Sequence, residues 1–195
     1  MRKSFLILLC LSMSYVLTAQ ESVKQKEIGL VFSNLDNFGF TYRTGTNKSL
    51  WRFNSLFISG INQKTSNDNN DDSNSRIGFG VSVGKEFRKN IVEKLDLRYG
   101  ADLSFGYSKL KTEHHLYNNS TKMINYCTGI NFIVGFNYLL GDDFLIGAEI
   151  LPGVSYSKGK TENHNSDEPV SINKSSSFYY GISNSSVQFS LVYKW

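Results

Sequence analysis

The sequence predicts an all-β fold, eight antiparallel strands closed as an up-and-down barrel around a filled polar lumen, and three observations predict it. Apolar residues recur at every second position in segment after segment, which is the period of a strand with two different faces. Helical apolar spacing is sustained nowhere after the first twenty of the 195 residues. The segments are joined by connections that alternate between short and long, as consecutive hairpins require.

The start, "MRKSFLILLCLSMSYVLTAQ", pairs basic Arg2 and Lys3 with an apolar run from Phe5 to Leu11 and a small residue at Ala19. This is the pattern of a secretory signal peptide over residues 1–19, cut before Gln20. The apolar run is too short for a membrane anchor, which needs roughly 20 residues. Residues 20–195 then form the single barrel domain. Cleavage takes two of the 21 basic side chains and none of the 17 acidic ones, so the formal charge falls by two from +4. So even a balance gives no reason to expect nucleic acid as a partner. Cleavage also removes Cys10, and Cys127 has no intramolecular disulfide partner.

The strands follow in order. Ile28, Leu30 and Phe32 share a face in a strand over 26–34, and Phe38, Phe40 and Tyr42 do so over 37–44. Over 49–62 the alternation blurs, because Trp51, Phe53 and Phe57 take one parity and Leu56 and Ile58 the other; a β-bulge would switch the faces there. Ile77, Phe79, Val81 and Val83 define 75–88. The clearest pattern is 93–110, with Leu95, Leu97, Tyr99, Ala101, Leu103, Phe105 and Tyr107 set against Asp96, Arg98, Gly100, Asp102, Ser104, Gly106 and Ser108. Ile124, Tyr126, Ile130, Phe132, Val134, Phe136 and Tyr138 mark 121–138. Phe144, Ile146, Ala148, Ile150, Val154 and Tyr156 mark 143–159. The last strand covers 174–195 and ends "SVQFSLVYKW"; a turn at Asn184 to Ser186 would split it in two.

"GTNK", "KNIVE" and "LGDD" are short connections, whereas "QKTSNDNNDDSNS", "TEHHLYNNS" and "GKTENHNSDEPVSIN" read as long polar loops; "NLD" alone is short on the long side. Short turns at one end and long loops at the other, with an even strand count, are the organisation of a transmembrane barrel. Aromatic residues support an outward, lipid-facing apolar surface. Tyr42, Trp51, Phe87, Tyr138, Phe144, Tyr193 and Trp195 gather near the short turns, and Tyr107, Tyr126, Tyr156 and Tyr179 near the long loops, as two interfacial belts. The opposite face is Gly- and Ser-rich, with Glu27, Glu86, Asp96, Asp102 and Glu149 balanced by Arg43, Arg52, Arg88, Arg98 and Lys194. A lumen of eight strands is just wide enough for side chains to fill. These charges are expected to pair inside it.

With that architecture and the terminal "VQFSLVYKW", the chain resembles the small eight-stranded outer-membrane barrels of the OmpA/OmpX type. The resemblance implies an outer-membrane location and contact with outer-membrane lipids and lipopolysaccharide. It also implies that Phe189, Leu191, Tyr193 and Trp195 are read by the barrel assembly machinery. A monomer is expected. The chain ends with the barrel, so no peptidoglycan-binding domain is expected after it.

Candidate chemistry is sparse. Asp68, Asn70 and Asp72 match positions 1, 3 and 5 of a calcium loop, but Ser73 and Phe79 stand where Gly and Glu are needed. His114, His115 and His164 lie in loops on one rim without metal-ligand spacing. Some barrels of the resembled group modify lipid A with Ser, His and an acid, for which Ser120, His115 and Glu113 are available; in a serine-rich chain such a set arises by chance. No catalytic, cofactor-binding or metal residue is therefore assigned. The expected role is a structural or surface-interaction barrel acting through its long loops, with a narrow passage for ions or small solutes and a lipid A-modifying enzyme as alternatives.

Overall fold

In a computed structural model of the chain, described for residues 23–34, 37–67, 70–114, 119–166, 168–182 and 186–195, nearly all residues are in strands. The expected signal peptide lies outside the described residues, apart from which the strands are β1 (Lys24–Asn34), β2 (Asn37–Thr46), β3 (Ser49–Asn67), β4 (Asn70–Val92), β5 (Leu95–His114), β6 (Asn119–Leu140), β7 (Phe144–Ile150), β8 (Gly153–Asn165), β9 (Glu168–Gly181) and β10 (Val187–Lys194).

Eight of them close a ring. Each of β1 to β6 pairs antiparallel with the next, β7 pairs with β10, and β10 returns to β1. The quoted terminus is thus the closing strand, with Ile28 opposite Tyr193 and Leu30 opposite Leu191. Registers also give the stagger. From Thr41, the path through Gly29, Val192 and Leu145 reaches Leu139, whereas the path through Asn54, Ser82 and Ser104 reaches Gly129. The ten-residue offset between those ends is the shear of the ring, which obliges the strands to tilt by about 40°.

Two expected strands are broken. The segment expected at 143–159 separates into β7 and β8 at Leu151 and Pro152, where proline has no N–H to give the ladder. The expected final strand separates into β9 and β10, and Gly181 ends β9 at φ 140°, a conformation that side chains other than glycine's resist. The breaks are neighbours and share a hydrogen bond from Leu151 N to the Ser186 carbonyl at 2.7 Å. Outward residues are therefore even-numbered in β9 and odd-numbered in β10.

The outward face is the expected one. Phe53, Val81, Val83, Leu103, Ile130, Phe132, Val134 and Ile146 are exposed, while β7, and β10 as far as Tyr193, alternate exposed and buried. Rings pack in belts at both ends, with Phe87 against Tyr99 at 5.6 Å and Phe144 against Tyr193 at 5.3 Å near the turns, and Phe79, Tyr107 and Tyr126 in a row near the hairpins. Eight residues separate Tyr99 from Tyr107, about 27 Å along the strand before tilt, a fit to the roughly 25 Å apolar band of such barrels. Tyr179 is a correction: it pairs with Ser155, a lumen position, and so faces inward, while Phe178 and Tyr180 take the lipid side.

The other correction concerns the loops. The polar segments expected as loops are mostly hairpin strands: β3 and β4 pair to Asn67 and Asn70, β5 and β6 to His114 and Asn119, and β8 and β9 to Asn165 and Glu168. β4 and β6 have 23 and 22 residues, twice the roughly 9–11 that a tilted strand uses to cross a bilayer, whereas β1 and β2 have 11 and 10. Because β2 leaves β3 at Asn54, residues 55–67 of β3 have no strand partner on that side among the described residues, where β9 likewise pairs only with β8. Above the β1–β2 hairpin the ring thus opens into a six-stranded sheet, β3-β4-β5-β6-β8-β9, with two unpaired edges.

Candidate functional site

The interior near the turns is a charge cluster. Glu27 and Arg43 face inward from β1 and β2, Arg52 from β3, Glu86 and Arg88 from β4, Arg98 and Asp102 from β5, and Glu149 from β7; all eight are buried. Glu86 is the hub, with Arg88 and Arg98 at 2.7 Å, Arg52 at 3.4 Å and Arg43 at 3.8 Å. Arg52 and Glu149 form a bidentate pair at 2.8 and 2.9 Å, and Arg52 also reaches Asp102 at 3.2 Å. Arg88 holds both oxygens of Glu27. Four carboxylates thus face four guanidiniums. Charge-assisted, forked bonds of this kind offset the desolvation that an unpaired ion would suffer.

Glycine makes the room. A Cβ at Gly84 would strike Asp102, and one at Gly147 would lie 2.8 Å from Arg98 Nη1. Eight of the ten charges expected in the lumen are in this cluster. Asp96 instead accepts from exposed Asn90 at 3.2 Å, and Lys194 is half-buried at the turn end. Missed in the sequence are the apolar residues that pack around the charges, Val31, Leu50, Ile133, Leu145, Leu151 and Val192. Their signal was present: all but Leu151, which lies at the break after β7, interrupt the polar parity of their own strands. Together the two sets fill the section of lumen near the turns and leave it a plug.

The described members of the sets weighed for calcium, metal or catalysis all lie on strands. Asp72 sits in the β3–β4 ladder opposite Thr65 and His114, and its carboxylate meets His114 Nδ1 at 2.9 Å. That is a paired strand rather than a loop wrapped round a cation, and Asp68 lies outside the described residues. His114 belongs to the concave face and His164 to the convex one, while His115 lies outside the described residues. On the convex face, register sets Ser120 between Glu113 and His164. A hydrolytic triad needs its histidine in the middle, between nucleophile and acid. Among Glu113, Ser120 and His164 the serine occupies that place.

The convex face carries a feature the sequence reading passed over. Just beyond the tyrosine belt, register places Lys109, Lys111, Lys122, Lys158, Lys160 and Lys174 outward, with Glu113 and Glu162 the acids among them. Lys111 stands directly opposite Lys122, and Lys160 directly opposite Lys174. Like charges in opposed positions destabilise a sheet unless an anion lies over them. Two are local: Glu113 meets Lys111 at 2.6 Å, and Glu162 takes hydrogen bonds from Lys160 and then Lys122, which lower its carboxyl to about 2.

No family model and no curated protein matches the chain. Its structure is similar to a major outer membrane protein from Thermus thermophilus, with a TM-score of 0.52 and 8% identity over 89% of this chain and 100% of that one. It also matches Ail, the attachment invasion locus protein of Yersinia pestis, at TM-score 0.35 and 14% identity over 90% of this chain and 100% of that one. CarO of Acinetobacter baumannii matches at 0.31 and 9%, over 89% and 98%. The Thermus likeness is one of fold, since 8% identity transfers no residue's role.

Proposed function

We propose that this chain, which has the fold of a small outer-membrane β-barrel, is an exported integral outer-membrane protein whose plugged barrel anchors a sheet-like wall for contact at the cell surface. The observation that carries this reading is the continuation of six strands past the β1–β2 hairpin into a polar sheet with two unpaired edges. Unpaired strand edges present rows of N–H and C=O groups that accept an extended segment of another protein. The plug in the turn-end lumen favours an anchor over a passage. The collar supports contact with the phosphates of lipopolysaccharide, because its six lysines outnumber the acids Glu113 and Glu162 set among them. Monomeric insertion through the assembly machinery, read from Phe189, Leu191, Tyr193 and Trp195, is part of the same proposal.

The test trims the wall at registered pairs, replacing residues 62–75, 111–122 and 161–173 with two-residue turns, so that the lipid-facing ring stays whole. Cells carrying either form are compared for adhesion to films of matrix protein and for aggregation with one another. The expected result is insertion and heat-modifiable mobility for both proteins, with adhesion and aggregation only for the full one. Equal behaviour of the two would overturn the reading.

A further inference from the structure

The concave face of the outer sheet is not uniformly polar. Above the charge cluster it is lined by small residues, Gly80, Ser82, Ser104, Gly106 and Gly129. Beyond them Phe57, Arg76, Leu110 and Met123 converge, with Ser108 and Asn125 beside them, around a cavity of about 450 Å³. That volume lies within the range of small-molecule sites, as does the combination of an apolar wall with a few polar groups.

Two details show the cup to be shaped rather than left over. The bulge between Ser55 and Phe57 reverses the parity of β3, turning Phe57 inward opposite Gly80 and sending Ile58 to the lipid side, where it is 78% exposed. The Phe57 ring then lies over Gly78, 3.2 Å from where a Cβ would stand, so the glycine admits it. Arg76 is the second detail. Between the buried cluster and the Asp72–His114 pair it is the charged residue of the concave face among the described residues, and no carboxylate there pairs with it. A guanidinium set beside a phenyl ring, a leucine and a methionine suits a molecule with an anionic head and an apolar tail. The cup lies at and beyond the outer tyrosine belt, and the sheet that forms it has the unpaired edges of β3 and β9, so a lipid-borne molecule has a side entrance.

We propose that this cup binds a single-chain anionic amphiphile, a medium-chain carboxylate, with its head on Arg76 and its chain against Phe57, Leu110 and Met123. Cys127 reports on occupancy, since its half-buried thiol lies on the same face, two residues along β6 from Asn125. The protein, isolated from expressing outer membranes into lipid nanodiscs, is alkylated with a water-soluble maleimide. Modification at Cys127 is followed by peptide mass spectrometry against increasing dodecanoate.

The expected result is saturable protection of Cys127, weakened about tenfold or more in half-saturating concentration by Arg76→Gln and by Phe57→Ala, and partly restored in Arg76→Lys. Dodecyltrimethylammonium, which has the same tail and the opposite charge, should protect poorly. Protection that never saturates, that is equal for the cationic amphiphile, or that survives Arg76→Gln unchanged would show partition into the bilayer and overturn the proposal. Protection by inorganic phosphate alone at similar concentrations would overturn the apolar half of it. Heat-modifiable mobility of each variant separates loss of binding from loss of fold. No partner protein is involved, so this outcome is independent of the adhesion test.

Discussion

The half of the molecule near the turns and the half near the hairpins share four strands, β3 to β6, yet obey different rules. Near the turns every strand has a neighbour on both sides, lipid on one face and packed side chains on the other. Alternation there is clear apart from the inward Val31, Leu50, Ile133, Leu145 and Val192, and each charge of the buried cluster faces an opposite one. Near the hairpins the same strands lose β1 and β2, gain two unpaired edges and stand in water on both faces. Alternation fades, hydroxyl and amide residues take either face, and one arginine is left without a carboxylate. A strand's environment, more than its composition, decides whether its period is visible.

The sharpest way to break this contrast is at Glu86. Four arginines face its carboxylate within 4 Å. Glu86→Gln keeps the volume and removes the charge, leaving guanidiniums buried without their counter-ion, and should cost about 3–5 kcal/mol of folding stability. Urea titration of the folded fraction in bilayers measures it. Adding Arg98→Gln should recover part of the loss, since Arg98 bonds both Glu86 and Glu149. If the single variant is as stable as the parent, the cluster is not the structural plug described above.

Next in size is the lipid face. Val83 lies outward between Phe53 and Leu103, midway between the belts at Phe87 and Phe79. Val83→Arg should cost about 2–4 kcal/mol by the same titration. The equivalent change beyond the belt, Ile172→Arg on β9, should stay within about 0.5 kcal/mol, because that exposed side chain already faces water. Similar costs at the two positions would mean that the boundary between the halves is misplaced.

The plug also makes a prediction about conductance. A verified folded barrel in a planar bilayer should give no discrete openings, because the turn-end lumen is filled by buried charges and by Leu50, Ile133, Leu145 and Val192. Reproducible openings in the parent protein would restore the reading as a narrow passage.

Much of the closed half was legible in the sequence. The outward residues, eight of the lumen charges and the closing role of the terminus follow from period 2 and from the need to pair buried charge. The breaks in the last two ring positions were harder to see, because Val154 keeps the parity of Ile150 across Pro152 and conceals the interruption. Tyr179 was misread for a related reason: the parity switch between β9 and β10 falls in a polar stretch that gives no apolar signal. The outer hairpins were read as loops because Ser, Thr and Asn facing water on both sides leave no alternation to detect. Phe57 was grouped with Trp51 and Phe53 and Arg76 drew no reading, because only the three-dimensional register brings the two to one cup.

The smallest expected effect tests the outer half on its own terms. Glu162 stands beyond the belt, bonded by Lys122 at 3.0 Å and by Lys160. Its carboxyl is lowered in the folded state to about 2 from an ordinary 4.5. A carboxylate held down in this way adds stability above its unfolded value, and that contribution is lost as the pH falls from about 4.5 through 2. The group is exposed, so solvent screens the effect on stability and the titration itself is the better readout. A carboxyl-carbon NMR titration should show a midpoint near 2 for the parent, moving up toward 4.5 in the Lys122→Ala, Lys160→Ala double variant. The conductance and the cluster in the closed half should be indifferent to that change. A parent midpoint already near 4.5 would mean that the collar lysines do not hold Glu162, and that they meet the membrane surface without this counter-ion.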